Sequence, residues 1–375
     1  RWASRKACGG PWHGTRRGGI DRPALSGRNA THGAPWELGV LADALVAALV
    51  FAGTWLGTLA VLRYAHARDL LDHPNERSSH VAPTPRGGGL AIVVSLLAGL
   101  VALHALGKVN DMLLWALGGG GLAVALVGFV DDHGGLSPRF RLVVHFAAVS
   151  WALYWLCGMP PLPVGGGYVI DGPAWTAVGA VGLVWLLNLY NFMDGIDAIA
   201  SVEAVCVALG ALLLGGAPAW LLVAAAAGGF LLLNWPPARI FMGDVGSGFL
   251  GFVLGVLAVD AAAWEHLPLA ASAILLGAFL VDATVTLFRR WLNGERLSEA
   301  HRSHAYQHAA RRFGGHRPVV LAVIAINLLW LLPWAWVAQA WPRWSITAAA
   351  VALAPLVVLA WRLGAGTVEG RAPRH

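Results

Sequence analysis

Five aspartates stand out in a chain that is otherwise poor in charge. GFVDDHGGLSPRFR (128–141) places Asp131 and Asp132 side by side, NLYNFMDGIDAIAS (188–201) holds Asp194 and Asp197, and NWPPARIFMGDVGSGFLG (234–251) holds Asp244. Each string directly follows or precedes a long apolar run. Burying a carboxylate is costly, and ionisable groups at membrane-helix ends mark functional sites. Adjacent carboxylates at a helix C-terminus repel each other and oppose the helix dipole. A solvated turn would tolerate them; the sharper reading is an offsetting cation, and a hard divalent ion such as Mg2+, which takes oxygen ligands and bridges phosphates, suits the chemistry. Asp244 precedes a glycine-rich helix start whose free N–H groups can receive phosphate oxygens, although an N-cap alone would account for one residue of that string.

Basic residues complete the pattern. LLDHPNERSSHVAPTPRGGGLAI (70–92) offers Arg77, His80 and Arg86; the guanidinium fork suits phosphate, and an ordinary positive-inside loop would carry the same residues. The loop 289–317 gathers four His and seven Arg, with His301, Arg302 and His304 in one short stretch. As a zinc site it lacks carboxylate or cysteine partners and reads instead as an anion-binding lid. Metal-holding acids, glycine-rich helix starts and phosphate-binding cations are the parts of phosphoryl transfer. At a membrane surface, one reactant would be a lipid.

The elements that must position these residues are membrane helices. Of 375 residues 57 % are hydrophobic and 12 % charged, with 19 Trp; mean hydropathy is +0.63. Soluble domains carry about 25 % charged residues. Apolar stretches of spanning length recur throughout, predicting an all-α polytopic membrane protein with eleven spans at 38–62, 87–107, 111–130, 140–157, 174–193, 198–214, 218–235, 247–263, 268–288, 318–338 and 344–363. The loops on one side, with Arg141 and Arg362, hold 17 of the 26 Lys and Arg, and the loops on the other hold two. The positive-inside rule makes the first side cytoplasmic. All five aspartates then fall on that face.

Residues 1–36, with the other seven basic residues, contradict this orientation and read as a disordered extension outside the native fold. Residues 37–364 form the membrane-embedded domain and 365–375 a cytoplasmic tail. The basic balance thus reflects membrane orientation and this extension, with membrane lipids as partners and no nucleic-acid partner; a basic tail on anionic lipid is the alternative reading of the extension. Cys8, Cys157 and Cys206 lack metal or redox spacing and read as packing residues.

In order along the chain, D-H-P-N-E-R-S-S-H, P-T-P-R-G-G-G, D-D-H-G-G-L, N-L-Y-N-F-M-D-G-I-D, N-W-P-P-A-R-I-F-M-G-D-V-G-S and H-R-S-H-A-Y-Q-H closely resemble the polyprenyl-phosphate N-acetylhexosamine-1-phosphate transferases, from about residue 38 to 363. The resemblance implies transfer of a sugar-1-phosphate from a UDP-N-acetyl sugar to undecaprenyl phosphate, releasing UMP, with Mg2+ or Mn2+, at the cytoplasmic face of a bacterial inner membrane. Carried over, it makes Asp131 and Asp132 the paired catalytic acids, and Asp194 with Asn191 part of the metal and phosphate site. It makes Asp244 the direct Mg2+ ligand and sets Asp197 and Asn234 towards the uridine. Arg77, His80, Arg86, His301, Arg302 and His304 would bind the phosphates. H-R-S-H-A-Y-Q lacks the run of histidines of the muramoyl-pentapeptide branch and resembles the branch that starts O-antigen and other lipopolysaccharide or surface chains, using UDP-N-acetylglucosamine or a 6-deoxy relative. Ala198 replaces the family's usual glycine, a small change expected to leave activity intact. A homodimer is compatible with the resemblance.

Two other classes compete. An ion-coupled transporter or flippase would place its acids near the bilayer midplane, where Glu203 is the main candidate, and an intramembrane aspartyl protease would need a carboxylate dyad there. The five aspartates instead gather at one face.

Overall fold

The computed structural model describes residues 35–68, 71–72, 83–165, 167–295 and 301–367. Helices occupy every apolar segment expected: α1 (Pro35–Ala67), α2 (Gly89–Ala105), α3 (Asp111–Gly134), α4 (Pro138–Trp155), α5 (Gly172–Phe192), α6 (Ile199–Leu213), α7 (Ala219–Asn234), α8 (Asp244–Ala263), α9 (Leu269–Leu275), α10 (Gly277–Leu292), α11 (Ala305–Arg312), α12 (His316–Ile326), α13 (Leu332–Ala340) and α14 (Ser345–Arg362). The chain divides at residue 42. The described part of the first unit is helical, and the second, Asp43–His375, contains the bundle.

Among the described residues, six helical stretches are long and apolar enough to cross a membrane, or seven when α9 and α10 count as one span. The helices at 89–105, 199–213 and 219–234 are apolar but shorter. Length and composition therefore support a multi-pass membrane protein without confirming the count of eleven. Large apolar side chains exposed on the helices, such as Leu45, Leu49, Leu56 and Leu329, fit a lipid surround.

Several local features depart from the expected pattern. The span expected at 268–288 breaks at Leu276, where α9 and α10 meet at 78°. The helix at 318–338 carries a π-helical turn, Asn327–Leu331, just before Pro333; proline has no N–H for the i→i−4 ladder and crowds the preceding turn. Two small antiparallel ladders add to the helices, pairing β1 (Leu71–Asp72) with β2 (Thr84–Pro85) and β3 (Leu162–Gly165) with β4 (Tyr168–Ile170). Cys157 is disulfide-bonded rather than a packing thiol, whereas Cys206 is free and half-buried.

At the centre stands α8. Within its spanning window 94 % is buried inside the protein, so this helix meets neighbours and hardly any lipid. It packs chiefly on α3 and α5, and also on α2. Its first turn approaches α2 closely: a Cβ on Gly89 would lie 2.4 Å from the Gly246 Cα. Backbone hydrogen bonds from Gly88 to Phe241 (3.0 Å) and from Gly89 to Met242 (2.9 Å) fix the segment entering α8 against the start of α2. The polar N-terminus of α8 is thereby held in place at one end of the bundle.

Candidate active site

Three helix ends converge there. Helix α3 runs towards this end and delivers Asp131 and Asp132 in its last turn, after which Gly135 adopts a left-handed φ of 65° and reverses the chain. Ser137 then caps α4, accepting a hydrogen bond from the Phe140 N–H (3.3 Å), with Pro138 in the first turn. This tight α3–α4 connection returns Arg141 to the carboxylates. Its guanidinium donates to Asp131 and, at 3.1 Å, to Asp244.

The two adjacent aspartates therefore do different things. Asp131 pairs with Arg141 and accepts from the Leu136 N–H at 2.5 Å. Asp132 accepts from the backbone N–H groups of Asp244 (3.1 Å) and Val245 (3.2 Å), so its carboxylate sits on the positive end of α8. Gly243 makes room for it. That residue has φ of 76°, and a Cβ there would lie 2.6 Å from Asp132 Oδ2. Arg86 covers Asp132 from outside, donating to its carbonyl at 3.2 Å with Nε 3.9 Å from the carboxylate.

Asn191, in the last turn of α5, donates to Asp244 Oδ2 (3.2 Å) while its own Oδ1 accepts from Ser247. Asp194 lies half-buried in the turn after α5. Burial first, then the charges of Asp244, Asp132 and Asp197, raise its pKa well above the ordinary carboxylate value. The cluster thus holds more negative charge than Arg141 and Arg86 offset. Among the described residues no three His, Cys, Asp or Glu side chains surround one ion position, so a protein-only metal cage is absent. A cation held by one or two carboxylates together with water and substrate phosphate fits this donor set.

Asp197 and Asn234 brace the site from behind. Asp197 accepts from the Ala238 N–H (3.1 Å) and faces His316 Nδ1 at 3.2 Å. Buried Asn234 accepts from the Ala198 N–H (2.9 Å) and Ser201 Oγ (3.3 Å) and donates to the Ile240 carbonyl (3.0 Å). Its amide is committed to joining the 198–201 turn to the 235–240 segment. Ala198 holds a left-handed φ of 65°, which explains why glycine suits that position.

Arg77 and His80 lie outside the described residues. The stretch His301, Arg302, His304 leads into α11, which Asp282 caps by accepting from the N–H groups of Ala305 (2.9 Å) and Tyr306 (2.8 Å). His304 is buried, stacked on His301 at 4.9 Å between ring centroids, with Nδ1 3.4 Å from Asp282. Burial, then His304 and Arg290, push the His301 pKa down to about 3, which leaves a neutral imidazole. Arg302 stays exposed. Tyr306 ties this segment to the site, donating to the Phe192 carbonyl at 3.2 Å beside Gly195.

The structure therefore joins Asp131, Asp132, Asp194, Asp244, Asn191 and Arg86 around one helix terminus, with Asp197 and Asn234 tying the adjoining segments together behind it. It sets His301 and His304 on a flanking support. Sequence reasoning missed Arg141, Ser247 and His316 as members of the site. Ser247 was legible in principle, one helical turn beyond Asp244, whereas Arg141 served only to orient the membrane topology.

Residues 114–262 match the family model described as glycosyl transferase family 4, a range that includes all five aspartates. Among curated proteins, the chain is 28 % identical over 305 residues to the probable undecaprenyl-phosphate N-acetylglucosaminyl 1-phosphate transferase of Bacillus subtilis, covering 72 % of this chain and 78 % of that protein. It is 29 % identical over 276 residues to the decaprenyl-phosphate N-acetylglucosaminephosphotransferase of Mycolicibacterium smegmatis, covering 66 % of each. It is 30 % identical over 234 residues to the phospho-N-acetylmuramoyl-pentapeptide-transferase of Synechococcus elongatus, covering 56 % of this chain and 62 % of that one.

Proposed function

We propose, since the chain belongs to glycosyl transferase family 4 through residues 114–262, that it transfers an N-acetylhexosamine-1-phosphate from a UDP-sugar to a polyprenyl phosphate, undecaprenyl phosphate in the first instance. The printed activities of the Bacillus and Mycolicibacterium relatives support this reading. The observation that carries it is the convergence of Asp131, Asp132, Asp194 and Asp244 with Arg141 on the N-terminus of α8. Such a site neutralises and aligns phosphates, which is most of what phosphoryl transfer requires.

In this reading a lipid-phosphate oxygen attacks the sugar-bound phosphorus. A new P–O bond forms, the bond to the UMP phosphate oxygen breaks, and UMP leaves with the electron pair. The second pKa of a phosphate monoester is about 6, so the acceptor is already dianionic at neutral pH and needs little help from a base. Asp194 and Asp244 would hold Mg2+, which supplies charge neutralisation across the diphosphate. Arg141 and Arg86 screen the same charge, while Asp131 positions the acceptor or takes its residual proton. Asp132, engaged by two backbone donors, orients the first turn of α8. A one-step displacement is favoured over a phospho-enzyme, because a nucleophilic carboxylate would meet a dianionic diphosphate.

The H-R-S-H-A-Y-Q segment supports a donor without the pentapeptide, and a product that begins a cell-surface polysaccharide on the inner side of a bacterial cytoplasmic membrane. The test is UMP release by purified protein given undecaprenyl phosphate and a panel of UDP-sugars. Release should require an N-acetylated hexosamine. Release with the muramoyl-pentapeptide nucleotide alone would reverse the branch, and no release with any donor would overturn the transferase reading.

A further inference from the structure

One residue before Arg86, the chain lines a different cavity. It encloses about 470 Å3 between the end of α1, strand β2 and the 238–239 turn, with Arg63, His66 and Arg239 at its rim and Leu59, Leu62 and Pro85 in its wall. Its described lining has no acidic side chain. None of the three basic groups has an ion-pair or hydrogen-bond partner for its side chain among the described residues.

The outer face of α1 leads directly to this rim. Leu45, Leu49 and Leu56 are 62 %, 64 % and 57 % exposed, and with Ala52 and Leu59 they repeat every three or four residues, the spacing of one helical stripe. The next position on that stripe is Arg63, and His66 follows one turn later. From Leu45 to Leu59 the stripe is about 21 Å long, more than the roughly 15 Å of hydrocarbon in one leaflet. An apolar track as long as a leaflet is deep therefore ends in basic groups without a side-chain partner among the described residues, matching an amphiphile with an anionic head.

We propose that this cavity binds the phosphate headgroup of an anionic diacyl phospholipid, with an acyl chain laid along the α1 stripe. Arg63 and Arg239 fork the phosphate, His66 contributes a further donor, and Leu59 with Leu62 receives the glycerol end of the chain. The site is a structural lipid site, separate from the carboxylates. It has a reason to matter to them. The Pro85 carbonyl accepts from the Phe241 N–H at 2.8 Å, and Ala238, which precedes Arg239, donates to Asp197 at 3.1 Å. A bound headgroup cross-links the end of α1 to the segment that carries Arg86 and leads to Asp244.

The test is native mass spectrometry of the full chain in neutral detergent, titrated with phosphatidylglycerol or phosphatidylcholine. The wild type should retain phosphatidylglycerol preferentially. A guanidinium near an anionic headgroup is worth roughly fivefold in affinity, so Arg63→Gln with Arg239→Gln should weaken phosphatidylglycerol binding about thirtyfold and leave phosphatidylcholine unchanged. If the double variant melts lower, Arg239→Gln alone, at an exposed side chain, should still show the fivefold loss. Equal retention of the two lipids by the wild type, or unchanged retention in the variants, would overturn the proposal. Displacement by inorganic phosphate would assign the cavity to a soluble anion, and displacement by equimolar undecaprenyl phosphate to the substrate lipid; either result would also overturn it.

Discussion

The carboxylate of Asp132 is bonded to the backbone N–H of Asp244 at 3.1 Å, across 112 residues of sequence, and caps the helix that Asp244 begins. Asp131, its neighbour, accepts no backbone N–H of α8 and meets Asp244 by its side chain and through Arg141. Loss of a capping side chain costs about 0.5–2 kcal/mol. Asp132→Ala should therefore lower the melting temperature of the detergent-solubilised protein, whereas Asp131→Ala should lower activity with a smaller change in melting. Equal destabilisation by both variants would show that the cap does not distinguish them.

Arg141 bridges Asp131 and Asp244 through a single guanidinium nitrogen, Nη1. Arg141→Gln should reduce transferase activity by roughly a hundredfold or more, the range seen when a preorganised electrostatic donor is removed. Arg141→Lys keeps the charge but moves it to a compact, more strongly hydrated ammonium on a shorter side chain, so it should restore only part of the loss. Steady-state UMP release reads both effects, and a fully active lysine variant would reduce Arg141 to a generic countercharge.

Asp194 carries a stability cost that depends on pH. Its folded pKa is raised above the ordinary 3.8 by burial and by Asp244, Asp132 and Asp197. As pH rises above 3.8, the unfolded chain releases this proton before the folded protein does, so folded stability falls through that window. Without metal at pH 7, Asp194→Asn should melt at a higher temperature than the wild type, and the difference should vanish near pH 3.5. Mg2+ should raise the wild-type melting temperature much more than that of the variant. Equal Mg2+ responses would remove Asp194 from the proposed ligands, and chelation should abolish activity.

Ala198 occupies a left-handed conformation, with φ of 65°, at the turn that joins Asp197 to α6. A side chain in that region costs roughly 1–2 kcal/mol, part of which glycine returns as unfolded-state entropy. Ala198→Gly should raise folding stability by about 0.5–1 kcal/mol and leave activity unchanged. Thermal melting checks the first and UMP release the second; a destabilised variant would show that the Ala198 methyl group packs more favourably than its backbone is strained.

Apolar run length and the placement of Lys and Arg, by themselves, determined that this chain is a multi-pass helical protein whose acids gather at helix ends. Each reading depends on residues close in sequence: twenty apolar side chains need lipid or protein around them, and a carboxylate cannot sit unpaired among them. The same local reading located Asp131, Asp132, Asp194, Asp197 and Asp244, because charge is conspicuous in so apolar a sequence. Their division of labour was decided by tertiary structure. That Asp132 caps α8 while Asp131 pairs with Arg141 depends on how α3 and α8 approach one another, with Gly243 making room for the Asp132 carboxylate. Asn234, set towards a nucleotide by resemblance, commits its amide to three protein partners, which no spacing in its own segment reveals. The 78° break at Leu276 was equally hidden, since hydropathy sums composition along a segment and carries no information on direction. Convergence is a property of helices packed together, and only the packed bundle fixes which charge meets which.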